Sequence, residues 1–464
     1  MIPTRIGELA KAAGGRVIPE RMADAYVRSV EIDSRKIMLG SLFIPIIGER
    51  VDGHDFIEKA FSQGATCALI REDHLMAHED QLPYCKALIV VQDTEAALED
   101  MAAWYRSCFP IPIVGVTGSV GKTSCKDFVA AALSGGRKVL KTLGNHNNNI
   151  GMPLTLFELD ETYEAAVTEM GMDHFGEITR LSRTARPKVG IITNIGISHM
   201  ENLGSREGIL KAKLEITDYL DPEGILFLNG DDERLYGLKG KRPETIEYFG
   251  WQEACEGRIL AAESLPDGRL YFKGTYHGET YETVLHTPAR HMAYNIMPAI
   301  MSACFLGLTK EEILRGLDSY ESADGRMHVL NGAGCTVIDD CYNASPDSMT
   351  AALETLAAWP GSGRHFAILG DMFELGAMEE EGHRAVGRVV AEKSGIDVLW
   401  TVGTRARWIQ EEASRSAAVC RHFDTVEDLI EALAGEVRTQ DVILVKASHG
   451  MALERIVRTL TETK

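Results

Sequence analysis

The chain has 464 residues, 45% of them hydrophobic, and sets 48 lysines and arginines against 68 aspartates and glutamates, a formal net charge of −20. That length is too great for one ordinary hydrophobic core and points to about three domains, while the acidic balance excludes non-specific attraction to nucleic acid or to an anionic membrane. No apolar stretch of about 18 residues and no apolar signal segment occurs, so a protein with no membrane span and no export is expected. The nine cysteines are scattered, odd in number and without a CxxC pair. They read as free thiols of a reducing cytoplasm, with neither a disulfide framework nor zinc spacing.

The N-terminal MIPTRIGELAKAAGG places its apolar residues at helical spacing. Short apolar runs at 42–47, 66–70 and 87–91, with helical patterns between them, predict a small α/β domain over residues 1–109. Phe109, Pro110 and Pro112 break the pattern, because proline disfavours helix and restricts the residue before it. Over 110–321, apolar strands at 112–116, 165–170, 189–194 and 225–229 mostly alternate with helical segments, which predicts a mostly parallel sheet with helices on its faces. Residues 258–286 switch to a period of two around His277 and Gly278, the mark of an appended hairpin. The pattern resets near 322–326, and strands at 337–340, 366–369, 398–402 and 442–446 predict a third α/β domain over 322–464.

VTGSVGKTS, Val116 to Ser124, follows an apolar strand and opens a helical pattern. Gly118 and Gly121 let the backbone curl so that amides aim at phosphate oxygens at the positive end of the helix. Lys122 is placed to reach the outer phosphates and Thr123 to hold Mg²⁺. The usual loop carries its first glycine where Val116 stands here, so this is a variant of the pattern.

Glu169 ends an apolar strand, where open α/β sheets bind ligands; it reads as a metal ligand or as a solvated strand-end acid. His199 follows another strand end and has the same two readings, with a histidine unusual for Mg²⁺. In the helix expected over Arg206 to Leu220, Lys211 has Glu207 and Glu215 four residues away on each side, the makings of a solvated ion-paired face. Lys213 instead shares a face with Ile209, Leu210, Ile216 and Leu220. A lysine there costs desolvation energy unless it snorkels, pairs or loses its charge. Arg326 follows a glycine at the second boundary, HMAYN spans His291 to Asn295, and Asn145, Asn147, Asn148 and Asn149 form a polar cluster that reads as a loop.

Taken together, TGSVGKTS, GNHNNNIGMPLT, TEMGMDHFGEI, TNIGISHMENLGSREGILKAK, DDCYNASPDSM, LGDMFELG and LVKASHGMALERIV closely resemble the Mur ligase family, with EIDSRKIMLGSLFIPIIGERVDGHDF extending the resemblance to the N-terminal region. The resemblance implies an N-terminal UDP-binding α/β domain, a central P-loop-type ATPase domain with a mostly parallel sheet, and a C-terminal Rossmann-like domain. It gives Thr117, Gly118, Ser119, Val120, Gly121, Lys122, Thr123 and Ser124 to the nucleotide phosphates. Thr123 and Glu169 go to one Mg²⁺, and Glu169, His199 and a carbamylated Lys213 to a second. Asn295 is implied as an adenine contact, Arg326 as a phosphate contact and Asp340 as a ribose contact. Ser34, Arg35, Asp52, Gly53 and His54 fall on the UDP-sugar side, with Asn147 and Asn148 also implied in substrate binding. Ala289, Met292 and His449 depart from the family pattern, the last standing where arginine is usual.

The implied activity is ATP-dependent amide ligation of D-alanyl-D-alanine to UDP-N-acetylmuramoyl-tripeptide through an acyl phosphate, in peptidoglycan biosynthesis. The implied enzyme is cytoplasmic and monomeric. A sister ligase that adds the third amino acid, a P-loop kinase and a nucleotide-driven switch are the alternatives.

Overall fold

Aliphatic runs buried on both faces form the strands. Ala87–Val91, Ile225–Asn229, Val398–Val402 and Val442–Lys446 are buried along their whole length, as strands of a parallel sheet covered by helices are. The computed structural model describes residues 1–75, 83–332, 334–392, 395–416 and 418–462. The chain divides into two compact units, one of Met1–Thr117, Arg137–Gly190 and Leu214–Ile225, the other of Gly118–Gly136, Ile191–Lys213 and Leu226–Lys464.

In the first unit a five-stranded sheet runs in the order Arg16–Ile18, Ala87–Val91, Cys67–Arg71, Ser41–Phe43, Ser29–Glu31, parallel except for its Arg16–Ile18 edge. Phe43, Ile57, Phe61, Ile70 and Leu88 form the core on one side. Helix Thr94–Ser107 starts at Asp93, whose carboxylate accepts from the Glu95 and Ala96 amides, a capping arrangement that satisfies otherwise orphaned donors. Further along the chain, Val139–Lys141, Ala165–Glu169 and Ile113–Thr117 lie side by side and parallel, with Glu169 opposite Val116. That register sets a carboxylate beside the strand that leads into the phosphate loop.

In the second unit, helix Lys122–Ser134 packs against Ala293–Phe305 and Lys310–Asp318. Ile225–Asn229, Ile246–Gly250 and Gly257–Ser264 are parallel neighbours, followed by antiparallel Leu270–Tyr276 and Glu279–Leu285. The hairpin expected around His277 and Gly278 is present, with both residues at positive φ, 49° and 81°, as a two-residue turn between twisted strands favours. The C-terminal sheet runs His328–Asn331, Thr336–Asp339, Val442–Lys446, His365–Gly370, Val398–Val402, Val419–Phe423, and only its first pair is antiparallel. The fold is mixed α/β with mostly parallel sheets, as the alternation of runs predicts. Among the described residues no helix is long and apolar enough to cross a membrane.

One element differs in extent. The helix expected over Arg206 to Leu220 stops at Leu214 and tightens into a 3₁₀ turn, Glu215–Thr217. Glu215 turns its carboxylate to the backbone N–H groups of Gly176 (2.8 Å) and Thr179 (3.2 Å), at the start of helix Glu177–Ala185. An acid there complements the helix dipole.

Candidate active site

The phosphate loop is shaped by close approach. Gly118 has φ 151°, and a Cβ added there would lie 1.8 Å from Thr193 Oγ1; at Gly121, φ 85°, a Cβ would lie 3.0 Å from Asn295 Oδ1. Only glycine supplies such a conformation without a clash. Helix Lys122–Ser134 begins immediately after Gly121, so its first amides have no acceptor within the helix, the arrangement that receives anions at helix N-termini. Lys122 Nζ folds back to Gly118 O at 2.9 Å. The Ser119 and Val120 amides are engaged otherwise than the sequence suggests: both donate to Asn194 Oδ1, at 3.1 and 2.9 Å. Asn194 went unanticipated because its partners lie 75 and 74 residues away in sequence.

Lys213 is 1% exposed, on the apolar face expected from its spacing, while Lys211 is exposed. Burial first, and then the positive charge of Lys122, hold the Lys213 amine well below the usual lysine range, because both disfavour the ammonium form. His199 is half-buried and sits at φ 61°, just before the short helix Met200–Leu203. A non-glycine residue rarely adopts that conformation, and such strain gathers at functional sites.

In the first unit Glu169 is 2% exposed. Its Oε1 accepts from Asn147 Nδ2 at 2.8 Å, and its Oε2 is buried without a hydrogen-bond partner. An orphaned carboxylate oxygen is costly unless a cation or donor meets it. Thr117 Oγ1 donates to Met170 O at 2.8 Å, tying the residue before the loop to the residue after Glu169. Asn148 uses its side-chain oxygen on the Ile150 and Gly151 amides, opening helix Gly151–Leu156.

Arg326 Nη2 donates to Thr123 Oγ1 at 3.1 Å, and its guanidinium lies 4.1 Å from the centre of the Tyr342 ring. The segment bearing it is pinned by two acids: Asp339 accepts from the Gly325 amide and Asp340 Oδ1 from the Met327 amide, both at 3.1 Å. Asp340 Oδ2 pairs with Lys446 Nζ at 2.6 Å, and Lys446 also donates to Asn343 O at 2.9 Å. Asp340 therefore does structural work at its position in addition to the ribose role expected of it, and Lys446 is a buried charge that the sequence did not single out. Asn295 is 5% exposed and packs beside Gly121. The ring of His449 lies 5.5 Å from that of Tyr342.

At the N-terminal end Asp52 bridges two stacked histidines, with Oδ1 2.7 Å from His54 Nδ1 and Oδ2 3.0 Å from His74 Nε2. His54 Nε2 accepts the Arg71 amide, so the proton of the neutral ring sits on Nδ1, facing Asp52. Burial lowers the His54 pKa, and the hydrogen bond to Asp73 is the first of the causes that raise that of His74. Gly53 packs so closely on Ile46 that a Cβ would lie 2.6 Å from the Ile46 nitrogen. Ser34 is buried, and Arg35 forms a fork with Asp33.

Family models match most of the chain in three stretches: the Mur ligase family catalytic domain over residues 26–106, the Mur ligase middle domain over 116–303, and the Mur ligase glutamate ligase domain over 325–449. The chain belongs to the Mur ligase family and is a ligase. The UDP-N-acetylmuramoyl-tripeptide--D-alanyl-D-alanine ligase of Bacillus subtilis (strain 168) is 36% identical over 466 residues, covering 100% of this chain and 99% of that one. A crystal structure of MurF from Acinetobacter baumannii superposes with a TM-score of 0.89 at 29% identity, covering 99% of both chains. MurF ligase from Thermotoga maritima in complex with ADP superposes at 0.82 and 28% identity, covering 94% of this chain and 97% of that one.

Proposed function

We propose that this ligase joins D-alanyl-D-alanine to UDP-N-acetylmuramoyl-tripeptide at the expense of ATP, in the cytoplasm, giving the pentapeptide precursor of peptidoglycan. The observation that carries the reading is a match along the whole chain, at 36% and 34% identity, to relatives bearing that name, together with a glycine-shaped phosphate loop at a helix N-terminus.

A carboxylate is a poor acyl donor because oxide would have to leave, so amide synthesis needs activation. ATP provides it: the tripeptide carboxylate attacks the γ-phosphate, ADP leaves, and the dipeptide amine displaces phosphate from the resulting acyl phosphate. Two anions must meet in the first step, and like charges about 4 Å apart repel by roughly 4 kcal/mol at an effective dielectric near 20. The Lys122 ammonium and the amides of Gly121, Lys122 and Thr123 offset that repulsion and stabilise the transferring group, with Thr117, Gly118, Ser119, Val120 and Ser124 completing the loop. Arg326 supplies a further cation, and Asn295 and Asp340 face the nucleoside.

The chemistry of the individual donors suits magnesium. Glu169 Oε2 is an orphaned oxygen, and Thr123 Oγ1 already accepts from a cation. Thr123 and Glu169 would hold one Mg²⁺, and Glu169, His199 and Lys213 another, the lysine as its carbamate, since an ammonium has no lone pair to offer. Bound there, Mg²⁺ would neutralise phosphate charge. A buried amine with a depressed pKa is the form that reacts with CO₂, which supports carbamylation of Lys213. Ser34, Arg35, Asp52, Gly53 and His54 take the UDP-sugar side, with Asn147 and Asn148 also in substrate binding.

The test is product analysis by mass spectrometry with ATP, Mg²⁺, D-alanyl-D-alanine and tripeptide substrates ending in diaminopimelate or in lysine. An amide product with one phosphate released per bond is expected. A phosphate ester product identifies a kinase, and ADP release driven by a free amino acid instead of the dipeptide identifies a sister ligase. Either outcome overturns the reading.

A further inference from the structure

We infer that Thr193 and Asn194 are positioning residues of the phosphate loop, holding Ser119 and Val120 so that the amides of Gly121, Lys122 and Thr123 are aimed at the nucleotide. The inference rests on the reading of that loop as the nucleotide site. Val120 is gripped on both sides of its peptide units. Its N–H donates to Asn194 Oδ1 at 2.9 Å, and its carbonyl accepts from Asn194 Nδ2 at 3.2 Å and from Thr193 Oγ1 at 2.6 Å. Ser119 N–H donates to the Asn194 backbone oxygen at 3.2 Å and to its side-chain oxygen at 3.1 Å.

The gripping segment is itself fixed. Asn229 Nδ2 donates to Thr193 O at 3.0 Å, the Ile195 amide to Asp232 Oδ2 at 2.7 Å, and the Gly196 amide to Ser119 Oγ at 2.9 Å. A loop rich in glycine has many conformations to lose, and a binding site gains affinity when that entropy is removed before the ligand arrives. Asn194 meets both the N–H and the carbonyl of a single residue, Val120, with one acceptor and one donor, which no aliphatic or acidic side chain can do. Its oxygen is already shared by two amides, so it acts through the loop and not on the phosphates. Thr193 adds shape, because its hydroxyl occupies the space that a Gly118 side chain would need.

The experiment is calorimetric titration of the full-length protein with ADP in the presence of Mg²⁺, combined with steady-state KM values for ATP and for the UDP-linked substrate. Each lost hydrogen bond leaves a buried partner unsatisfied, so Asn194→Ala should weaken ADP binding and raise the KM for ATP by about tenfold to a hundredfold. The KM for the UDP-linked substrate should change less than about twofold. Should Asn194→Ala fail to fold, as judged by circular dichroism, the Thr193 pair carries the test. Thr193→Val removes the hydroxyl at constant shape and should weaken ADP binding about tenfold, and Thr193→Ser should restore most of that loss. Folded Asn194→Ala or Thr193→Val protein with ADP affinity unchanged overturns the positioning role, as does an equal loss for both substrates. Lys122→Ala separates this failure from failure of the loop reading: if ADP affinity survives that change too, the nucleotide does not bind at this loop.

Discussion

Two lysines of the second unit are buried to nearly the same degree, Lys213 at 1% and Lys446 at 2% exposure, in opposite electrical settings. Lys446 meets the Asp340 carboxylate and the Asn343 carbonyl, so its charge is compensated on the spot. Lys213 is held down by burial first, and the charge that acts on it is another cation, Lys122. Burial of a cation is therefore no sign of chemistry by itself. The sign is a buried amine whose surroundings favour the uncharged form, because nothing in packing rewards it.

Exchanging either lysine for methionine should break the comparison in opposite ways. Lys213→Met should reduce amide formation by about a thousandfold, the scale on which one preorganised electrostatic group acts, while leaving the thermal midpoint unchanged or higher. A fall in midpoint with turnover preserved would make Lys213 structural. Lys446→Met leaves Asp340 buried without its counter-charge, which should cost about 3–5 kcal/mol and lower the midpoint in a thermal melt. Adding Asp340→Asn should recover part of the loss, and no recovery would mean that the pair is not the source. The smallest effect belongs to the first unit. The His54 pKa is lowered in the fold by burial, so the native state binds fewer protons there than the unfolded chain. Its contribution is present above the ordinary histidine pKa near 6.5 and is lost as pH falls through the lower folded value. The pH-dependent drop in thermal midpoint below about pH 6.5 should shrink in His54→Gln, and identical slopes would remove His54 as its cause.

The strands buried on both faces were legible because a short continuous apolar run has few other uses in a folded α/β domain. Arg16–Ile18 and Val139–Lys141 are three-residue strands with no such run. Val419–Phe423, at the edge of its sheet, exposes alternate residues and includes Arg421 and His422, so its pairing is decided by tertiary contacts. The phosphate loop could be read locally, since its glycines, lysine and threonine sit at fixed spacing. The apolar face of Lys213 was likewise written within two helical turns. Asn194, which holds the loop, and Lys446, which pairs with Asp340, were not, because their partners lie 75 and 106 residues away, and nothing in a local pattern announces such a meeting. The departure at Glu215 has the same origin: its carboxylate serves a helix that begins 38 residues earlier in the sequence, at Glu177.

Arg326 rests its guanidinium on Thr123 Oγ1 and over Tyr342. The hydroxyl proposed as a magnesium ligand thus already serves a side chain of the enzyme's own. A cation bound at that oxygen would lie against the positive guanidinium, so the two would oppose each other there unless an anion stood between them.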